Sequence, residues 1–119
     1  MKLNIVAHRK VSLKGFAEGW DDCYLRVRAL SEPKRAEWSA KVDARVDDAE
    51  YGQILRQACI DAVVGGVIMN TDEAGVASSY EFSTGEVADV VDALSIAWQG
   101  EVMEIATGSD RLKATTSSL

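Results

Sequence analysis

Apolar and polar residues alternate strictly over residues 23–30. Cys23, Leu25, Val27 and Ala29 fall on one face, and Tyr24, Arg26 and Arg28 fall on the other. A period of two is that of a half-buried strand, and arginines on its outer face discourage pairing at a sheet edge. Upstream, the apolar run Leu-Asn-Ile-Val-Ala at residues 3–7 reads as a strand or arm, and residues 10–13 as a second short extended piece. Lys14-Gly15 and Glu18-Gly19 punctuate this stretch as turns.

The period then changes. Ser31 stands where a helix N-cap belongs, with Glu32 and Pro33 in the first turn, where a missing N–H costs nothing. Trp38, Val42, Val46 and Ala49 follow at steps of three or four, a narrow stripe that predicts a surface helix buried on one side. Asp47 or Asp48 caps a second helix. Tyr51, Ile54, Leu55, Ala58, Ala62 and Val63 form one face of it, and Cys59, Ile60, Val64 and Val67 widen that face. A helix apolar on most of its circumference is expected at the centre of the core. Gly65-Gly66 should end it or let another element pack closely.

Residues 70–79 are polar and read as a loop, followed by a short strand at 80–82. Ser83-Thr84-Gly85-Glu86 matches a capping box. One long helix is expected after it, through Val87, Val90, Val91, Leu94, Ala97, Trp98, Val102 and Ile105, with a bend at Gly100 and a stop at Gly108. The expected fold is α+β: a helix-dominated small domain with an N-terminal β-hairpin or small antiparallel sheet and three main helices. Its domain spans residues 1–108, and the polar, aperiodic residues 109–119 read as a flexible C-terminal tail. The expected core is Tyr51, Ile54, Leu55, Ala58, Val63, Val90, Val91, Leu94 and Trp98.

Composition narrows the function. A length of 119 residues suits one domain. The net charge of −6 argues against nucleic acid and anionic membrane as partners. No apolar stretch approaches the ~20 residues of a membrane span, and the run at residues 3–7 is too short for a signal peptide. Cys23 and Cys59 lie in a strand and a helix, which predicts reduced thiols of a cytosolic protein. The single histidine, His8, has basic neighbours in Arg9 and Lys10 and no group to make it a base. Asp21-Asp22 reads as a turn, because neighbours on an extended chain point to opposite faces. The run Asn70-Thr71-Asp72-Glu73-Ala74-Gly75 lacks the alternating oxygens of a calcium loop and reads as an acidic surface loop. No catalytic residue, cofactor or metal ligand is expected, and the chain is read as a non-enzyme that acts by contact. Trp38 and Trp98 lie on helix stripes and are expected in the core. Trp20, in a Gly-flanked turn, is either a plug over one end of the core or an interface anchor.

The order of these elements carries a resemblance over residues 16–108. A Gly-Trp-Asp turn leads into the strand Tyr-Leu-Arg-Val-Arg-Ala-Leu, which ends in Ser-Glu-Pro. A charged helix, an apolar helix, the acidic loop and the Ser-Thr-Gly-Glu start of a last helix follow. In this the chain resembles the tail assembly chaperones of long-tailed, siphovirus-type bacteriophages. The resemblance implies a chaperone of the host cell cytoplasm, absent from the mature virion. It would bind and solubilise the tape measure protein and help to recruit tail tube protein subunits; self-association as a homo-oligomer is expected separately, from the apolar residues 3–7. It also implies that residues 109–119 could link to a longer, frameshifted form. The expected contact residues are Trp20, Arg26, Arg28, Asp72 and Glu73. The residues 3–7 are expected to extend the 24–30 strand of the same or a neighbouring subunit. The rival reading is a structural virion component, a head–tail connector or tail tube-end protein.

Overall fold

Strand β1 (His8–Ser12) pairs antiparallel with β2 (Tyr24–Arg28), so that Val11 lies opposite Leu25 and Arg9 opposite Val27. The structure is a computed structural model that describes residues 7–108. The N-terminal run up to Val6, and with it most of the expected strand extension, lies outside the described residues, as does the tail at 109–119. After β2 the chain forms α1 (Glu32–Asp43) and α2 (Asp48–Ala62), then returns as the hairpin β3 (Val63–Thr71) and β4 (Ala77–Phe82). A 3-10 turn at Thr84–Glu86 leads into α3 (Val87–Ala93) and α4 (Ile96–Thr107). The four strands make one antiparallel sheet in the order β1-β2-β3-β4. The result is the expected α+β fold with a small antiparallel sheet; of its four helices α3 is short.

The helices cover one face of the sheet. α4 packs on β1 and β2, and α2 and α3 pack on β3. Val11, Leu25 and Val27 from the sheet meet Leu55 and Cys59 of α2, Val91 of α3, and Val102 and Met103 of α4, all essentially buried. Burying a side chain of this kind contributes about 1.5–3 kcal/mol. Two polar ties fix α4 against the hairpin. The Leu30 N–H donates to the Ala106 carbonyl at 2.8 Å, and Arg9 Nη1 donates to the Ile105 carbonyl at 3.1 Å. A cation at the C-terminal end of a helix also meets its partial negative charge.

Of the expected core, Leu55, Val63, Val90, Val91 and Leu94 are buried, whereas Tyr51, Ile54, Ala58 and Trp98 are half-buried. β1 and β2 supply the difference, because their inner positions close the sheet side of the core. The stripe expected on α1 is only half realised. Trp38 and Val42 are half-buried, but the helix ends at Asp43, which leaves Val46 86% exposed in the link to α2. Ser31 occupies the N-cap without a side-chain bond, while Asp47 caps α2 by accepting from the Glu50 N–H at 2.8 Å.

Three boundaries differ from the expected ones. Residues 63–67 are not the end of a helix but the start of β3. Val63, Val64, Val67 and Ile68 are β-branched, and Gly66 sits at φ +151°, outside any helix. Half of residues 70–79 is strand, and the loop shrinks to the turn between Thr71 and Ala77. The last helix breaks at Leu94 and Ser95 rather than bending at Gly100, which lies inside α4. Leu94 is extended, Ser95 caps α4, and the buried Gln99 amide donates to the Val91 and Leu94 carbonyls at 3.1 and 3.2 Å. The Val91 carbonyl also accepts from the Leu94 N–H at 3.0 Å, so the amide chiefly serves the Leu94 carbonyl beyond the helix end. The capping box forms as expected, with the Ser83 N–H donating to the Glu86 carboxylate at 3.1 Å.

Candidate protein-binding surface

The β1–β2 register sorts side chains between two faces. Val11, Leu25 and Val27 point to the helices, so His8, Lys10 and Ser12 share the opposite face with Tyr24, Arg26 and Arg28. The β2–β3 register adds Gly65, opposite Arg26, and Val67, opposite Tyr24. The helices leave this outer face uncovered.

Three cations define it. Lys10 Nζ lies 4.1 Å from the centre of the Tyr24 ring, a cation–π contact. Arg26 is half-buried because its guanidinium lies over Gly65; a Cβ on that glycine would stand 2.8 Å from Nη2. Arg28 is exposed at the end of β2. A chain of net charge −6 thus places three cations on one sheet face, one of them against an aromatic ring, with Glu81, opposite Val67, as the carboxylate on the β4 side of that face. Such a face can pair with carboxylates and stack on planar or apolar groups.

The other expected contact residues lie elsewhere. Trp20 sits in the β1–β2 connection, half-buried against the core on the helix side. Its ring lies 4.6 Å from that of Phe16, which meets Trp98 edge-on at 5.8 Å. The structure therefore separates Trp20 from Arg26 and Arg28, which lie across the sheet. Asp72 and Glu73 stand at the tip of the β3–β4 hairpin, at the same end of the sheet as the Trp20 connection. Asp72 builds the turn: its Oδ1 accepts from the Ala74 and Val76 N–H groups, both at 2.9 Å. Glu73 is exposed beside it. The strand 24–30 expected to receive a further strand is central, with β1 on one edge and β3 on the other.

Lys10, Tyr24 and Gly65 were not among the expected contact residues. The signal for Lys10 and Tyr24 was present in the alternation of the first two strands. Gly65 required knowledge that residues 63–71 form a strand.

Titratable groups with displaced acidities lie away from this face. Burial pushes the Cys59 thiol up to about 12, and its Sγ donates to the Gln99 carbonyl at 3.3 Å. Burial, with Asp22 nearby, raises Cys23; both cysteines are free thiols. The Tyr80 hydroxyl donates to Glu86 at 2.7 Å, which lowers the carboxyl and raises the phenol. Arg56 binds Asp92 and lowers it. Each of these pairs fastens neighbouring elements. Among the described residues no group of three or more His, Cys, Asp or Glu is placed to hold a metal ion, and no helix is long and apolar enough to cross a membrane. No protein-family model matches the chain, and no curated protein or solved structure matches it.

Proposed function

We propose that the chain is a non-enzymatic assembly chaperone of the phage tail type, which holds a long helical partner through the outer face of its sheet. The observation that carries this reading is that Lys10, against the Tyr24 ring, shares one sheet face with Arg26 and Arg28, and none of the described helices covers that face. The resemblance in element order supplies the partner: the tape measure protein, whose long helices present apolar stripes and mixed charge. An arginine and aromatic face suits such a surface, since these residue types dominate contact energies while charge sets rate and register. Repeated weak contacts along an extended partner accumulate through effective concentration, and each stays easy for tail tube protein to displace. The protein acts in the host cell cytoplasm, as a homo-oligomer, and leaves before the virion is complete.

Co-expression with the large helical protein encoded nearby tests this. The wild-type chain brings that protein into the soluble fraction, and the double variant Arg26→Glu/Arg28→Glu does not. A partner that stays insoluble with the wild-type chain refutes the chaperone reading. A double variant that works as well as wild type refutes the sheet face as the contact. Mass spectrometry of purified particles separates the rival: a connector or tube-end protein is present in them, a chaperone absent.

A further inference from the structure

Among the described strands, β1 and β4 are the edges of the sheet. In an antiparallel pair, alternate residues turn their backbone N–H and C=O groups toward the partner strand, and the residues between turn theirs away. The Leu13 N–H donates to the Cys23 carbonyl at 2.9 Å and the Ala29 N–H to the Ala7 carbonyl at 2.8 Å, which fixes the phase of β1 on β2. His8, Lys10 and Ser12 therefore point their backbone groups out of the sheet. The Asp72 N–H donates to the Val76 carbonyl at 3.0 Å, which fixes the phase of β4 on β3 in the same way. Ala77, Ser79 and Glu81 therefore point theirs out of the opposite edge. Among the described residues, no backbone bond from outside the sheet reaches either set. The two edges also differ in charge. β1 carries Lys10, with Arg28 opposite His8 on the next strand, whereas Glu81 is the charged residue of β4.

We propose that the β4 edge of one copy pairs with the β1 edge of a second copy, head to tail. Strand direction alternates across the sheet, so a second copy in the same orientation brings its β1 antiparallel to β4. The outward-pointing residues of both edges carry their side chains on the outer sheet face, as residues opposite each other in one sheet must. Full overlap sets Ala77 against Ser12 of the second copy, Ser79 against its Lys10, and Glu81 against its His8. Glu81 then lies diagonal to that Lys10, within reach of a long side chain, and opposite charges so placed stabilise an antiparallel pair. The alternatives fit worse. Two β1 edges bring Lys10 onto Lys10, a like-charge pair, and two β4 edges give Glu81 no cation. Charge thus selects the β1 edge of a second copy as the occupant. Nothing on β4 opposes it: the strand has no proline and no register shift, the usual guards of an edge. Tyr80, on the helix side of β4, is 40% exposed, so the helix layer stops short of this edge. Each copy uses two different edges, so the contact repeats, as a ring or an open stack. The cationic face then recurs along one continuous sheet. This gives the homo-oligomer a contact and does not rest on the chaperone reading.

Sedimentation velocity of the full chain over a concentration series tests this, with no partner present. The wild-type chain should form species larger than a dimer as concentration rises. Ser79→Pro should abolish them, because proline removes an N–H that the chain's own sheet does not use, on an edge strand where proline is tolerated. Glu81→Lys and Lys10→Glu change exposed side chains. Each should weaken association by about fivefold or more. An equimolar mixture of these two variants should restore it, because each reversed edge then meets a reversed edge. A chain that stays monomeric at millimolar concentration overturns the proposal, as does a Ser79→Pro variant that associates like wild type. An unaffected Lys10→Glu variant assigns the contact to a two-fold pair of β4 edges and overturns it. A mixture no stronger than its parts overturns it too.

Discussion

The guanidinium of Arg26 lies across Gly65, with Nη2 2.8 Å from where a Cβ on that glycine would stand. The next residue is in a different position. A Cβ on Gly66 would meet the Tyr24 carbonyl oxygen at 2.2 Å and Leu25 Cα at 2.9 Å, at a φ of +151° that side chains disfavour. One glycine makes room for a mobile side-chain tip, the other for backbone.

The two alanine substitutions should therefore diverge. Gly65→Ala should cost under about 1 kcal/mol, since the arginine tip can swing aside, but it should move Arg26 and reduce solubilisation of the helical partner. Gly66→Ala should cost about 3 kcal/mol or more, from backbone overlap and strain together. Urea unfolding of both variants checks this, and equal midpoints would contradict it.

Trp20 should prove a core plug more than a contact. Its ring packs on Phe16, which packs on Trp98, and truncation removes that closure of the helix-side core. Trp20→Ala should cost roughly 2 kcal/mol, below the range for a fully buried tryptophan because the side chain is half-exposed. The Arg26→Glu/Arg28→Glu variant should keep wild-type stability. Thermal unfolding of the pair, beside the co-expression assay, distinguishes a packing role from a binding one. A Trp20→Ala protein of unchanged stability that no longer holds the partner would restore Trp20 as the anchor.

Gln99 should matter more than its place on a surface-length helix suggests. It is 7% exposed, and its amide serves two carbonyls at the break between α3 and α4. Gln99→Leu keeps the bulk and removes the amide from the Leu94 carbonyl, while the Val91 carbonyl keeps the Leu94 N–H at 3.0 Å, at a cost of about 1–3 kcal/mol. Denaturant titration measures it; a neutral result would mean that water replaces the amide.

The Arg56–Asp92 pair ties α2 to α3 and gives a pH signature. The bond to Arg56 lowers the Asp92 carboxyl in the folded state. Its contribution is present above the unfolded value, about 3.9, and is lost as pH falls through the lower folded value. The stability difference between wild type and Asp92→Asn should stay constant near neutrality and vanish in strong acid. It should be small, because the pair is exposed. A difference that persists unchanged into acid would assign the effect to something other than the charge.

Much of this fold was legible along the chain because its causes are local. The alternation of residues 23–30 specified β2 and its buried face. Asp47 and the Ser83–Glu86 pair marked helix starts, since capping bonds span only three residues. The positions of Leu55, Val90, Val91 and Leu94 in the core followed from helical spacing. The failures were at places where tertiary contact outweighed periodicity. Residues 63–67 are apolar enough for either a buried helix or a buried strand, and pairing with β2 and β4 decided for the strand. The break at Leu94 depends on a glutamine amide that reaches back from the next helix. The candidate sites were hidden for the same reason. Arg26 and Arg28 could be assigned to an outer face from sequence, and the alternation of the first strand carried the signal for Lys10, but not that Gly65 gives Arg26 its place.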